Sequence, residues 1–150
     1  LGAGSAAVGL YVAHNVFYAG FAFLAGWLAD RVNKVRLLAV GYGLAAVMAL
    51  GIIVLPLGLW TLAAVFVAGG IDVAIEETLE DSLCAELVPA EQHGMAFGVL
   101  ATVNGVGDFL SSVIVGALWS ACGVATAFGY SAVLFAVGSL LVLRVPKELS

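Results

Sequence analysis

Five acidic residues lie close together in an apolar stretch typical of a membrane span. Asp72, Glu76 and Glu80 recur at every fourth position and share one face of a helix, with Glu77 and Asp81 beside them. A charged carboxylate at the bilayer centre costs at least about 2.5 to 3.5 kcal/mol, so it faces protein, water or a cation rather than lipid. The pattern predicts that Asp72 and Glu76 bind and release protons within the membrane, with Glu80 and Asp81 nearer its surface.

Two further apolar stretches carry a polar face at helical spacing. One face holds Tyr11, His14, Asn15 and Tyr18, and the other holds Ala101, Asn104, Gly105, Asp108 and Ser112. His14, Asp72 and Asp108 each lie roughly 20 to 25 Å from the cytoplasmic end of their own helix, near the depth of transporter binding sites. The candidate site therefore comprises Asp72, Glu76 and Asp108 for protons, flanked by Glu77, and Tyr11, His14, Asn15 and Asn104 for substrate. Structural hydrogen bonding between helices is the alternative role for these side chains.

The remaining motifs do not indicate an enzyme. The Gly-rich segments 41–43 and 105–108 have no preceding strand and no phosphate-binding Lys, so no nucleotide site is expected. His93 is expected in a cytoplasmic turn, remote from Ser111 and Ser112 within their span, which argues against a hydrolytic site. The acidic helix lacks a His that could complete a di-metal site. We expect no catalytic residue, no metal and no cofactor.

The composition places the chain in a membrane. Of 150 residues, 63% are hydrophobic and 10% are charged, whereas about a quarter are charged in soluble proteins. At about 20 apolar residues per span, the sequence predicts an all-α integral membrane fold of about five helices. The expected spans are roughly 5–29, 37–55, 59–81, 94–119 and 125–143. The net charge of −5 argues against a nucleic acid partner.

The basic residues orient these spans. Lys and Arg concentrate in cytoplasmic loops, so Arg31, Lys34 and Arg36 place the first loop in the cytoplasm and the C-terminal Arg144 and Lys147 on the same side. The first span then starts outside. An odd number of spans with an outside start is expected of an even-span transporter that has lost its beginning, which predicts a fragment.

The first loop resembles a signature of the major facilitator superfamily. That signature has Gly, three residues, Asp-Arg, one residue, Gly and then basic residues, and it is matched here by Gly26, Asp30, Arg31, Lys34 and Arg36. Further segments are similar to the tenth to twelfth helices of bacterial members: Glu77, 86–89, Gly94, 96–98, 116–119 and 127–128. The resemblance implies that residues 1–150 are the C-terminal part of a transporter, corresponding to helices eight to twelve, in a bacterial inner membrane.

The resemblance also implies roles for the loop. Asp30 would brace a helix end, and Arg31 would pair with Glu80, Asp81 or Glu86 as a latch that breaks during alternating access; a purely topogenic role for these charges is equally open. Two positions depart from the family pattern. Asn33 replaces a Gly and is expected to loosen the turn, and His93 replaces an Arg before Gly94, which removes a fixed positive charge.

These observations predict a secondary active transporter in which protons drive the movement of a small organic solute. Export and uptake use the same parts and are not separated by the sequence. The expected partners are the lipid bilayer, the solute, protons and the missing N-terminal helices of the same protein. The alternative is a non-transporting membrane scaffold or assembly subunit, in which the five acidic residues between positions 72 and 81 bind a basic helix of a partner.

Overall fold

The computed structural model describes residues 3–56 and 58–145, and within them the chain is helical without a β-strand. The long helices are α1 (Ala3–Ala29), α2 (Lys34–Val54), α3 (Leu59–Leu87), α4 (His93–Cys122) and α5 (Val124–Val142), with a short 3-10 helix, Ala90–Gln92, before α4. All five long helices of these described ranges have the length and apolar character to cross a membrane. The predicted all-α membrane fold is confirmed. Leu57 of the second turn and Lys147 of the predicted cytoplasmic tail lie outside the described residues.

The third helix is longer than the sequence suggests. It runs without interruption through the acidic residues to Leu87, beyond the predicted end at residue 81. Glu, Leu and Ala are good helix formers, so the acidic segment does not end the helix. The end comes at Val88, whose extended backbone is the conformation favoured before a proline, here Pro89. Asp72 therefore lies about 20 Å from the start of α3, in the interior of a membrane helix.

The bundle is built around the central helices α2 and α3. Helix α1 packs on α3, α5 packs on α2, and α4 packs mainly on α5 with a smaller contact to α3. Near the α1–α2 turn, Ala29, Leu38 and Leu79 form a buried cluster that Val142 of α5 also contacts. Most of the fully buried apolar residues are alanines, which let helix backbones approach closely where lipid supplies no hydrophobic driving force.

The closest helix approach occurs at Gly70. A Cβ atom placed there would lie 2.4 Å from the carbonyl oxygen of His14 and 3.2 Å from the backbone nitrogen of Tyr18. The backbones of α1 and α3 thus touch at a position that only glycine fits. Gly94 and Gly98 match the Gly-x-x-x-Gly pattern of closely packed membrane helices, but a Cβ at either glycine meets nothing within 4 Å among the described residues.

We predict that Gly70→Ala destabilises the protein, because its methyl group would overlap backbone atoms that no side-chain rotation can move. Overpacking of this kind costs roughly 1 to 3 kcal/mol, measurable as a lower thermal unfolding midpoint in detergent. Gly69→Ala is the matched control, since its Cβ would meet His14 and Met48 side-chain atoms at an ordinary 3.7 Å. Equal losses in the two variants would contradict the proposed backbone contact.

Candidate functional site

The structure brings His14 and Asp72 to one cavity of about 360 Å³ between α1, α2, α3 and α5. The His14 Nδ1 atom lies 3.0 Å from the carbonyl oxygen of Phe66. A carbonyl only accepts hydrogen bonds, so Nδ1 carries the proton and donates it. Asp72 is buried, with 7% of the residue exposed, and its side chain has no hydrogen-bond partner among the described residues.

Glu76 and Asp108 line a second, more open cavity of about 740 Å³. They project from α3 and α4, and Tyr42 of α2 contributes its phenol ring to the same wall. The two carboxyl groups thus border the same space from different helices. Ser131 and Phe135 of α5 line both cavities, so the two cavities share a wall.

Glu80 connects three helices just beyond these cavities. Its carboxylate accepts a hydrogen bond of 3.0 Å from the Tyr42 hydroxyl and one of 2.7 Å from the Asn104 side-chain amide. Asn104, predicted as a substrate contact, thus binds Glu80 in this structure and lines neither cavity. Sequence reasoning missed Tyr42 as a site residue. The signal was available, because a hydroxyl group in an apolar helix requires a polar partner.

The other predicted site residues line neither cavity. Glu77 accepts a hydrogen bond of 2.6 Å from the Tyr18 hydroxyl, which links α3 to α1. Asn15 donates to the Tyr11 carbonyl one turn earlier at 2.8 Å. The Tyr11 ring is 64% exposed and stacks against His14 with centroids 6.4 Å apart. The structure therefore groups His14 with Asp72 and Glu76 with Asp108, and leaves Tyr11, Asn15 and Glu77 outside both cavities.

In the first loop, Lys34 rather than Arg31 contacts the acidic helix. Lys34 donates to the Ser82 hydroxyl at 2.6 Å and forms an ion pair with Glu86. The Arg31 guanidinium instead lies 3.9 Å from the centre of the Trp27 ring and donates to the Trp27 carbonyl at 3.0 Å. Trp27 precedes Arg31 by one helical turn and supplies both an unpaired helix-end carbonyl and an aromatic face. The expected pairing of Arg31 with Glu80, Asp81 or Glu86 is not met among the described residues.

Asn33 begins the second helix. Its side-chain oxygen accepts a 2.8 Å hydrogen bond from the Arg36 backbone nitrogen, which makes it the N-cap of α2. Its φ angle of −64° requires no glycine, so the expected loosening of the turn is wrong. Asp30, expected to brace a helix end, has no side-chain hydrogen bond within the described residues. Gly26 faces Thr78 with room for a methyl group.

His93 stabilises the end of the acidic helix. Its Nε2 atom lies 3.1 Å from the carbonyl oxygens of both Ala85 and Val88, so this nitrogen donates to the last carbonyls of α3. The His93 ring also packs edge-on against Phe97 at 5.9 Å. The turn between α3 and α4 is thus held by a histidine at the position where the family pattern has arginine.

We predict that Lys34 and Glu86 are energetically coupled and that Arg31 and Glu86 are not. In a double-mutant cycle of Lys34→Met and Glu86→Gln, the coupling free energy is expected to be nonzero but below about 1 kcal/mol, because the Glu86 side chain is 59% exposed. The coupling free energy is measured by equilibrium unfolding of the variants in mixed micelles. The matched cycle with Arg31→Met and Glu86→Gln should be additive, and coupling there instead would assign the ion pair to Arg31.

Comparison with known proteins agrees with this architecture. The family model of the Major Facilitator Superfamily matches residues 1–150. An uncharacterized MFS-type transporter of Methanocaldococcus jannaschii is 29% identical over 138 residues, which cover 92% of this chain and 34% of that protein. The chain thus spans about a third of the length of the curated relative that it matches. No solved structure matches the chain. The chain is an integral membrane protein and belongs to the major facilitator superfamily.

Proposed function

We propose that this chain is the C-terminal part, helices eight to twelve, of a secondary active transporter that couples proton movement to the movement of a small organic solute. The loop signature at residues 26–36, which joins α1 to α2, supports this placement. The transporter name of the Methanocaldococcus jannaschii relative supports the activity. The solute and protons would cross by alternating access, with binding near the middle of the membrane.

The main support for coupling is the cavity that contains Glu76 and Asp108. The two carboxylates belong to different helices and face one space inside an apolar bundle, and ionisable groups at such positions are functional by default. When both are charged they repel each other across the cavity. A proton on either one removes this repulsion and lets α3 and α4 approach, which converts proton binding into helix movement.

The distribution of basic residues supports a cytoplasmic C-terminus, and we take the proposed bacterial inner membrane from the family resemblance alone. Arg31, Lys34 and Arg36 lie at the α1–α2 turn, and Lys34 reaches Glu86 near the end of α3. Arg144 lies two residues beyond the end of α5, whose last turn packs near the same end of the bundle. Positive residues gathered at one end of a bundle favour the cytoplasmic side for that end.

The enclosure of Asp72, Glu76 and Glu80 within the bundle favours a transporter over a scaffold. A scaffold that captures a basic partner helix needs its carboxylates on an outer surface. Asp72 is buried, Glu76 faces the larger cavity, and Glu80 is bound to Tyr42 and Asn104. Asp72, Glu76 and Glu80 therefore face the interior of the bundle, where a transport pathway would lie.

We predict that Glu76→Gln and Asp108→Asn in the complete protein each reduce pH-driven solute movement by roughly tenfold or more, equivalent to about 1.4 kcal/mol. Asp72→Asn is expected to act in the same direction. Proteoliposomes with an imposed pH gradient would be tested with radiolabelled sugars, amino acids, amines and carboxylates in turn. Exchange of solute without a gradient should persist in Glu76→Gln and Asp108→Asn, since it needs no net proton transfer.

Glu91→Gln serves as the control, because Glu91 is exposed in the turn before α4 and lines neither cavity. It should leave transport unchanged. Intact pH-driven movement in Glu76→Gln and Asp108→Asn would show that these carboxylates do not couple protons to transport.

A further inference from the structure

We infer that the cavity of about 360 Å³ at His14 and Asp72 binds a small organic cation with an aromatic or other apolar body. This inference rests on the proposed function, because it assigns a class of solute to the proposed transporter.

Asp72 lacks a partner for its charge. The residue is 7% exposed and lines the cavity, and its side chain has no ion pair or hydrogen bond among the described residues. No fully buried side-chain oxygen of the described residues lacks a hydrogen-bond partner, so the Asp72 oxygens are accessible from the cavity. A carboxylate with so little solvation is costly to keep charged, and the cost is offset when an opposite charge lies against it. Glu76, one turn further along α3, adds negative potential rather than compensation.

The other walls of the cavity suit an organic cation. Phe66, Phe128 and Phe135 supply aromatic rings, and Met48 supplies a polarizable thioether. Aromatic faces attract cations that have lost their water shell, and methionine adapts to apolar groups of varied shape. Among the described residues no group of three or more His, Cys, Asp or Glu could hold a metal ion. The walls thus fit an ammonium group with an apolar substituent better than a bare metal cation.

Anionic and sugar-like solutes fit this cavity poorly. No Lys or Arg of the described residues lines either cavity, so an anion would find no opposite charge. The polar side chains at the smaller cavity are His14, Asp72 and Ser131. The Nδ1 atom of His14 already donates a hydrogen bond to the Phe66 carbonyl. A sugar would lose more hydrogen bonds to water than these groups can replace. The volume lies at the low end for ligand pockets, which suits a solute with one ring.

The test compares benzyltrimethylammonium with neopentylbenzene, which has the same shape with carbon in place of the charged nitrogen. Binding to the purified protein in lipid nanodiscs is measured by calorimetry, with empty nanodiscs as the blank. The wild-type protein should bind the cation at least about tenfold more tightly than the neutral isostere. Asp72→Asn, which keeps the side-chain shape, should remove that preference.

Two further variants complete the test. Asp81→Asn makes the same chemical change at an exposed position of α3 away from the cavity and should leave cation binding unchanged. Phe128→Leu should weaken cation binding by roughly two- to fivefold through loss of one aromatic face. It provides a second test of the cavity if Asp72→Asn fails to fold.

Equal binding of the two probes by the wild-type protein, or an unchanged preference in folded Asp72→Asn, would overturn the inference. These results are distinguishable from failure of the proposed function. Proton-driven movement of an anionic or neutral solute without cation binding would leave the transporter proposal standing and remove the cation. Asp72-dependent cation binding with no transport of any solute would support the cation site and remove the transporter proposal.

Discussion

The need to enclose carboxylates inside a membrane governs the arrangement of this bundle. Helix α3 carries Asp72, Glu76 and Glu80 on one face through a region where lipid cannot solvate charge. Each of them faces a different surrounding. Asp72 lines a cavity with His14 of α1, Glu76 faces Asp108 of α4, and Glu80 accepts hydrogen bonds from α2 and α4. The neighbouring helices therefore pack around the acidic face of α3, which places α3 near the centre of the bundle.

The features set by local chemistry could be predicted from the sequence. Span number follows from about 20 apolar residues per membrane crossing, and the depth of Asp72 follows from its distance along a helix. The end of α3 was harder to predict, because the acidic segment after Asp72 has a polar composition but consists of residues that favour helix. The proline at residue 89, which ends α3 at Val88, was the better signal.

The pairing of side chains across helices could not be predicted in the same way. Helical spacing places Tyr11, His14 and Asn15 near one face, but it does not say which of them points toward α3. The contact at Gly70 decides this, since it holds the backbone of α1 at His14 against α3. The choice of Lys34 over Arg31 as the partner of Glu86 depends on where α2 begins, and the Asn33 cap determines that point.

The packing divides the helices into two close pairs, α1 with α3 and α2 with α5. Backbone contact at Gly70 joins the first pair, and the Ser139 hydroxyl, donating to the Ala39 carbonyl at 2.7 Å, joins the second. Two contacts connect the pairs. The Ile75 side chain lies close to Gly41, and the Tyr42 hydroxyl donates a hydrogen bond to Glu80. Both cavities have carboxylates from the first pair on one side and α5 on the other. A shift of one pair against the other would therefore change both cavities together, whereas a shift within a pair would first have to break the contact at Gly70 or the Ser139 hydrogen bond.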